Sequence, residues 1–196
     1  MKRINQSKSI TILKKPFIIK NKKNQKIKKD NIKIARIRRQ RGYAWEDTIV
    51  KRFNSSDNWS AFRLGSPSVA LPDVLVVSTK NRTIFAIEAK SGTGTTLQVP
   101  FDQIIRCLKW TRTFELYKTR KVILAFKFLS KKRIGVGKYE GRQLREFFKV
   151  WDESLPITNF ICTYEGKTFS MVNRKRVKIT LKDYLMPFHS SHQIIS

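Results

Sequence analysis

The sequence predicts an α/β fold in which a mixed central β-sheet is flanked by helices and preceded by a basic N-terminal arm. Three observations predict it. Apolar residues recur at helical spacing after Tyr43 and again after Pro100. Short β-rich runs occupy residues 59–63, 72–77, 83–88 and 122–128. The segments interleave in the order α-β-β-β-α-β, a pattern that places helices over a mixed sheet.

Residues 1–40 carry 15 Lys and Arg against one acid, Asp30, a local net of +14. Stretches such as Lys20–Lys26 are too charged and too poor in aromatic residues to bury a core. They are expected to form a flexible arm that binds phosphates or other anions and turns helical near Asn31 to Arg41 when it docks. A solvated tail or a localisation signal is the plainer alternative. Of the whole-chain 42 basic and 14 acidic residues, 27 and 13 remain for residues 41–196, a second +14. The body is therefore basic in its own right, the footprint of a polyanion binder. Nucleic acid is the expected partner, with an anionic membrane surface as the competing one.

The first helix follows from Trp45, Ile49, Val50 and Phe53, and Asn54-Ser55-Ser56 ends it. Glu46 stands three and four residues before Ile49 and Val50, so it shares their buried face. Two readings account for an acid there: it leans over a charged site, or it is solvated at the helix start, where the helix dipole favours Glu. Trp59–Arg63 reads as a strand, and Leu64–Leu71 is a Gly-, Ser- and Pro-rich loop leading into Pro72-Asp73. That order brings Arg63 and Ser66 to the start of the next strand.

Pro72–Val77 and Thr83–Glu88 are strands around the polar turn Lys80-Asn81-Arg82, where Asn tolerates a left-handed backbone. A turn centred on Lys80 and Asn81 gives cross-strand partners summing to 161, which sets Asp73 opposite Glu88. Partners across a ladder have Cβ atoms about 5 Å apart, from where two carboxylates can share one cation. Glu88 and Lys90 point to the same face of their strand. A slip of one residue would turn Asp73 away.

Both faces of these strands are apolar, so the strands are expected to be covered on both sides. Uncompensated carboxylates there would be costly. A hard divalent cation, Mg2+ or Mn2+ on oxygen ligands, would compensate them; a buried Asp–Lys or Glu–Lys ion pair is the alternative.

After Lys90, the segment Ser91–Thr96 reads as flexible, and Pro100 opens a helix with Phe101, Ile104, Ile105 and Leu108 toward the core. Gln103, Arg106 and Trp110 share another face. Val122, Leu124, Phe126 and Phe128 alternate with Ile123, Ala125 and Lys127 in a further buried strand. Residues 131–173 contain the segment Arg133 to Lys138 and are expected to form a helix near Arg142–Trp151 and a hairpin around Tyr164–Lys167. Cys107 and Cys162 lack a CxxC partner or nearby histidines, which speaks against a disulfide framework and a zinc site. His189 and His192 receive no role. The sequence has no run of 18 apolar residues and no apolar signal-peptide core, so a soluble, intracellular (cytoplasmic) protein is expected.

The ordered set Arg41–Glu46, Phe62–Ser66, Leu71–Val74, Ile87–Ser91 and Val122–Phe128 resembles the archaeal-type Holliday junction resolvases. These belong to the restriction-endonuclease-like superfamily, whose PD-(D/E)xK motif Pro72-Asp73 and Glu88-Ala89-Lys90 spell. The resemblance spans about residues 38 to 130, and Ile179–Leu185 looks like the family's closing segment. It implies a homodimer that nicks two opposed strands of a four-way DNA junction, using Mg2+ and an activated water. By the same resemblance Glu46, Asp73 and Glu88 would be acidic metal ligands, assisted by the Ala89 carbonyl. Lys90 would orient or deprotonate the water and steady charge on the phosphate. Ser66 would be a catalytic loop serine, and Arg63 would lie near the scissile phosphate.

The surrounding Arg41, Lys51, Arg52, Arg63, Gln103 and Arg106 are the expected DNA contacts. The implied organisation is an arm over 1–40, a nuclease core over 41–130 and a C-terminal extension of the same domain over 131–196. The arm and the long 131–173 section depart from the family. Two alternatives therefore stay open: a less selective nuclease of this fold on branched or linear DNA, and a DNA-binding module that does not cut.

Overall fold

The computed structural model describes residues 15–64, 70–173 and 175–188, with side chains from Asn31 onward. The chain divides into two units, Met1–Arg39 and Gln40–Ser196. The elements in order are α1 (Lys15–Asn54), β1 (Ser60–Arg63), β2 (Val74–Ser78), β3 (Thr83–Gly92), β4 (Thr96–Val99), α2 (Phe101–Thr113) and β5 (Thr119–Phe128). There follow β6 (Lys131–Arg133), β7 (Tyr139–Gly141), β8 (Arg145–Val150), β9 (Phe160–Thr163), β10 (Thr168–Val172) and β11 (Lys175–Lys178).

The α1 helix is longer than the pattern after Tyr43 predicts. Residues 15–40 have helical backbone because Pro16 falls in the first turn, where its missing N–H is tolerated, and no Gly or Pro follows before Gly42. Propensity along that stretch thus asserts itself without an apolar stripe. Among the described residues no helix is long and apolar enough to cross a membrane.

The expected mixed sheet is present. Five strands lie in the order β1-β2-β3-β5-β8. Its β3–β5 pair is parallel and the other three pairs are antiparallel. A parallel neighbour needs a crossover, and α2 lies within it. The β2–β3 register runs from Val74↔Ile87 to Ser78↔Thr83, so partners sum to 161 as the hairpin argument requires. The left-handed turn residue is Arg82, at φ 47°, rather than Asn81. Its N–H donates to the Thr79 carbonyl at 3.1 Å, and the Asn81 N–H donates to Ser78 Oγ at 3.2 Å, so the loop closes over the same four residues.

Both faces of the sheet are covered. On one face Trp45, Ile49 and Phe53 of α1 pack against Val74, Val76, Phe85, Ile87, Ile123, Ala125 and Phe148. On the other, Ile104, Cys107 and Leu108 of α2 pack with Ala86, Val122, Leu124, Phe126, Phe128 and Phe160. The α2 face is rotated from the expected one: Ile104, Cys107, Leu108 and Thr111 are buried, whereas Phe101 is half exposed. Cys107 and Cys162 are both free and buried.

One further expectation is corrected, and two elements went unanticipated. Residues 145–150 form β8, not a helix, because Arg145-Glu146-Phe147-Phe148-Lys149-Val150 pairs antiparallel with β5 from Phe128 to Ile123. Pairing with a buried strand outweighs the weak helical pattern of that segment. The short β4 went unread between a Gly-rich stretch and Pro100; it forms the edge of a second sheet, ordered β11-β10-β9-β4. The basic stretch after Ser130 contributes to a small β6–β7 hairpin. The hairpin expected around Tyr164–Lys167 does form, with Gly166 at φ 76°.

Phe53 is fully buried and meets the rings of Trp59, Phe85 and Phe188. Phe53→Ala should therefore destabilise the protein by about 3–5 kcal/mol, read as a lower urea midpoint with an unchanged slope. A loss below about 1 kcal/mol would mean that α1 does not close this face of the sheet.

Candidate active site

Glu88 sits mid-strand in β3 and has no solvent exposure. A carboxylate there must be compensated, and the structure compensates it twice. Lys90 Nζ lies 2.5 Å from Glu88 Oε1, and an Arg106 amino group lies 2.7 Å from Oε2. Lys90 reaches it because residues two apart on a strand share a face. Arg106 arrives from α2, whose Trp110 Nε1 also donates to the Ala70 carbonyl at 2.9 Å, tying the segment that enters Asp73 to this helix.

Asp73 immediately precedes β2, opposite Glu88 by the strand register. The Leu64 N–H donates to its carbonyl at 3.1 Å, so the end of β1 fixes its backbone. Its Oδ2 accepts the Ala89 N–H at 2.8 Å. Burial pushes the Asp73 carboxyl up to about 6, the Glu88 charge adds to this, and Lys90 and the Ala89 N–H oppose it. Glu46 enters from α1 and is 7% exposed, on the buried side of the helix as its spacing implied. Burial, and then the charge of Asp73, push it up to about 7, against Arg63 and Lys90. Its Oε2 is buried without a hydrogen-bond partner among the described residues. Three helix and strand elements thus bring Glu46, Asp73, Glu88 and Lys90 into one electrostatic neighbourhood.

The other expected residues fall in different places. Ser66 lies outside the described residues. Arg63 pairs with Asp47 at 3.1 Å and stacks over the Tyr43 ring at 4.9 Å, near enough to Glu46 to hold its carboxyl down. Arg52 is bound to the buried Glu146, at 2.5 and 3.3 Å, and Lys127 shares that carboxylate at 3.2 Å. Lys51 is exposed, Arg41 is half-buried, and Gln103 is half-buried with its Oε1 unpartnered among the described residues. The Glu46, Asp73 and Glu88 side chains do not stand as a ready ligand set: no group of three His, Cys, Asp or Glu is gathered for a metal ion among the described residues. Glu88 is instead bound by Lys90 and Arg106.

Two features escaped the sequence. The Arg106–Glu88 pair joins residues 18 apart on different elements, and no local pattern announces it. The segment after Lys90, expected to be flexible, is held by backbone hydrogen bonds. Arg133 N–H donates to the Thr93 carbonyl at 3.0 Å, and Tyr164 N–H to the Thr95 carbonyl at 2.9 Å. Arg142 adds donations to the Leu129 and Gly94 carbonyls at 2.9 and 3.0 Å. All three donors belong to the 131–173 section, which therefore buttresses the end of β3. A cavity of about 330 Å³ is lined by Val122, Trp151 and Leu181 and by none of the acids discussed here.

No family model and no curated protein matches the chain. Among solved structures it is similar to the 1.6 Å structure of Archaeoglobus fulgidus Hjc, described as a Holliday junction resolvase from an archaeal hyperthermophile. The two share 16% identity and a TM-score of 0.43, over 63% of this chain and 84% of that one.

The raised carboxyls make stability depend on pH. Folding lifts Asp73 from 3.8 to about 6 and Glu46 from 4.5 to about 7, so the folded state holds more protons between about pH 4 and 7. Stability is therefore lost as pH rises through that window. Asp73→Asn should raise the stability at pH 8 by on the order of 1–2 kcal/mol relative to the parent, and by much less at pH 4. Thermal unfolding at the two pH values checks this; an equal shift at both would refute an origin in ionisation.

Proposed function

We propose that this protein is a metal-dependent endonuclease acting on DNA, with four-way junctions as its substrate. The observation that supports it most is the set of Glu46, Asp73, Glu88 and Lys90, two buried and two half-buried, assembled from α1, the β2 entry and β3 in a chain of net charge +28. Buried carboxyls held up at about 6 and 7, one of them with an unpartnered oxygen, are costly for a fold that needs only a scaffold. They fit an all-oxygen site for a hard divalent cation such as Mg2+ or Mn2+.

Asp73 and Glu88 would hold the cation, with Glu46 and the Ala89 carbonyl as further oxygen donors. The cation supplies Lewis-acid polarisation of a phosphodiester and a water of lowered pKa. The chain's own groups do the rest. Lys90, on the Glu88 strand and 24% exposed at its side chain, would orient the attacking water and steady charge on the phosphate. Ala89 N–H orients the Asp73 carboxylate. Arg63, Lys51 and the basic residues of the arm would contact phosphates, and Ser66 would serve in the loop that leads into Asp73. Junction selectivity and paired nicks, through a homodimer, come from the sequence resemblance. A less selective nuclease of the same site is the second reading, because the arm and the 131–173 section depart from the family that the sequence resembles.

With Mg2+, an end-labelled four-way junction should be nicked symmetrically, while a linear duplex of the same sequence is spared. Asp73→Asn should lower cleavage at least about 100-fold while junction binding persists, because the substitution removes a cation ligand and a charge that repels phosphate. Equal cutting of both substrates would establish the second reading, and binding without cutting in any divalent metal would leave a DNA-binding module.

Binding should also weaken with salt, the logarithm of affinity falling linearly with the logarithm of salt concentration, with slope about −0.9 per phosphate contacted. A flat response in a filter-binding or anisotropy titration would remove nucleic acid as the partner of the basic surface.

A further inference from the structure

Both oxygens of Glu88 are already engaged. Lys90 Nζ occupies Oε1 at 2.5 Å and Arg106 occupies Oε2 at 2.7 Å, in a place with no exposure of the carboxylate. The two cations differ in how they are anchored. Lys90 leaves β3 only two residues from Glu88, on the same face, so it belongs to the strand that carries the carboxylate. Arg106 reaches across from the second turn of α2, so its charge is brought to Oε2 by a different element, with its side chain 12% exposed. Lys90 also acts through its charge on Glu46 and Asp73, and Arg106 interacts with the charge of Asp73.

We propose that the Arg106 guanidinium is an internal counter-ion that competes with the divalent cation for Glu88 Oε2, and that it is displaced when the cation binds. This rests on the metal reading of the site given above. A buried carboxylate with two positive partners gains little from a third cation, and a fixed positive charge beside the site repels one. Exchange solves both problems. The guanidinium leaves Oε2, the cation takes that oxygen, and the carboxylate is never left uncompensated. The displaced Arg106 keeps its charge at the rim of the site, where an anionic phosphate is a suitable partner. Arg106 is thus a positioning residue that sets how tightly the site takes metal before DNA arrives.

The test is a Mn2+ titration of the full chain without DNA, followed by calorimetry or by electron paramagnetic resonance of free Mn2+. The parent, Arg106→Gln, Arg106→Lys and Asp73→Asn are compared. Arg106→Gln should bind Mn2+ roughly tenfold more tightly than the parent, because one charge-assisted pair no longer competes. Arg106→Lys, which keeps the charge, should stay near the parent, and Asp73→Asn should lose the site. If the parent binds Mn2+ in an Asp73-dependent way and Arg106→Gln binds equally or more weakly, the exchange is overturned while the metal site stands. If neither the parent nor Arg106→Gln shows Asp73-dependent binding, the metal reading fails and the exchange with it.

A second measurement needs no substitution that could unfold the protein. The Arg106 Nε–H resonance of the parent should shift progressively during a Mg2+ titration, in step with occupancy. A resonance that stays in place while Mg2+ saturates the site would overturn the exchange by itself.

Discussion

The central constraint is a carboxylate in the middle of a sheet covered on both faces. Glu88 lies in β3, which has β2 on one side and β5 on the other, and apolar clusters above and below. A charge in that position is tolerated only with partners at hydrogen-bond distance. Much of the local architecture follows from this. Lys90 has to share its face, α2 has to present Arg106, and α2 can do so because it lies in the crossover that the parallel β3–β5 pair requires.

The second consequence is an unequal distribution of charge compensation. Among the described residues, Glu88 holds two cations in ion pairs, whereas Asp73 Oδ2 accepts the Ala89 N–H and Glu46 Oε2 has no hydrogen-bond partner. Burial first, and then the neighbouring carboxylate charge, keep both Asp73 and Glu46 protonated well above the usual carboxylate range, against the pull of Lys90. The folded protein thus gathers its perturbed carboxyls at one point, where α1, the β2 entry and β3 meet.

The section from Lys131 to Asn173 supports the same point from beyond β5. Arg133, Arg142 and Tyr164 fasten the backbone between Gly92 and Thr95, just beyond Lys90. The guanidinium of Arg142 also stacks over the Tyr164 ring at 4.5 Å, so the fastener is itself packed. An extension that looks peripheral in the sequence thus steadies the strand that carries Glu88 and Lys90.

The sequence by itself determined what local chemistry dictates. Alternating and doubly apolar runs specified the strands of the hairpin and β5, the turn length set a register summing to 161, and helical spacing put Glu46 on the buried face of α1. Those inferences held because side-chain periodicity is a property of a few neighbouring residues. Tertiary structure alone decided what depends on partners distant in the chain. β8 became a strand because β5 offered an edge, the face of α2 turned because the second sheet covers Cys107, and Arg106 met Glu88 because the crossover delivered it there. Pairing and charge compensation across elements leave no trace in local spacing, since their energies depend on which groups the completed fold brings into contact.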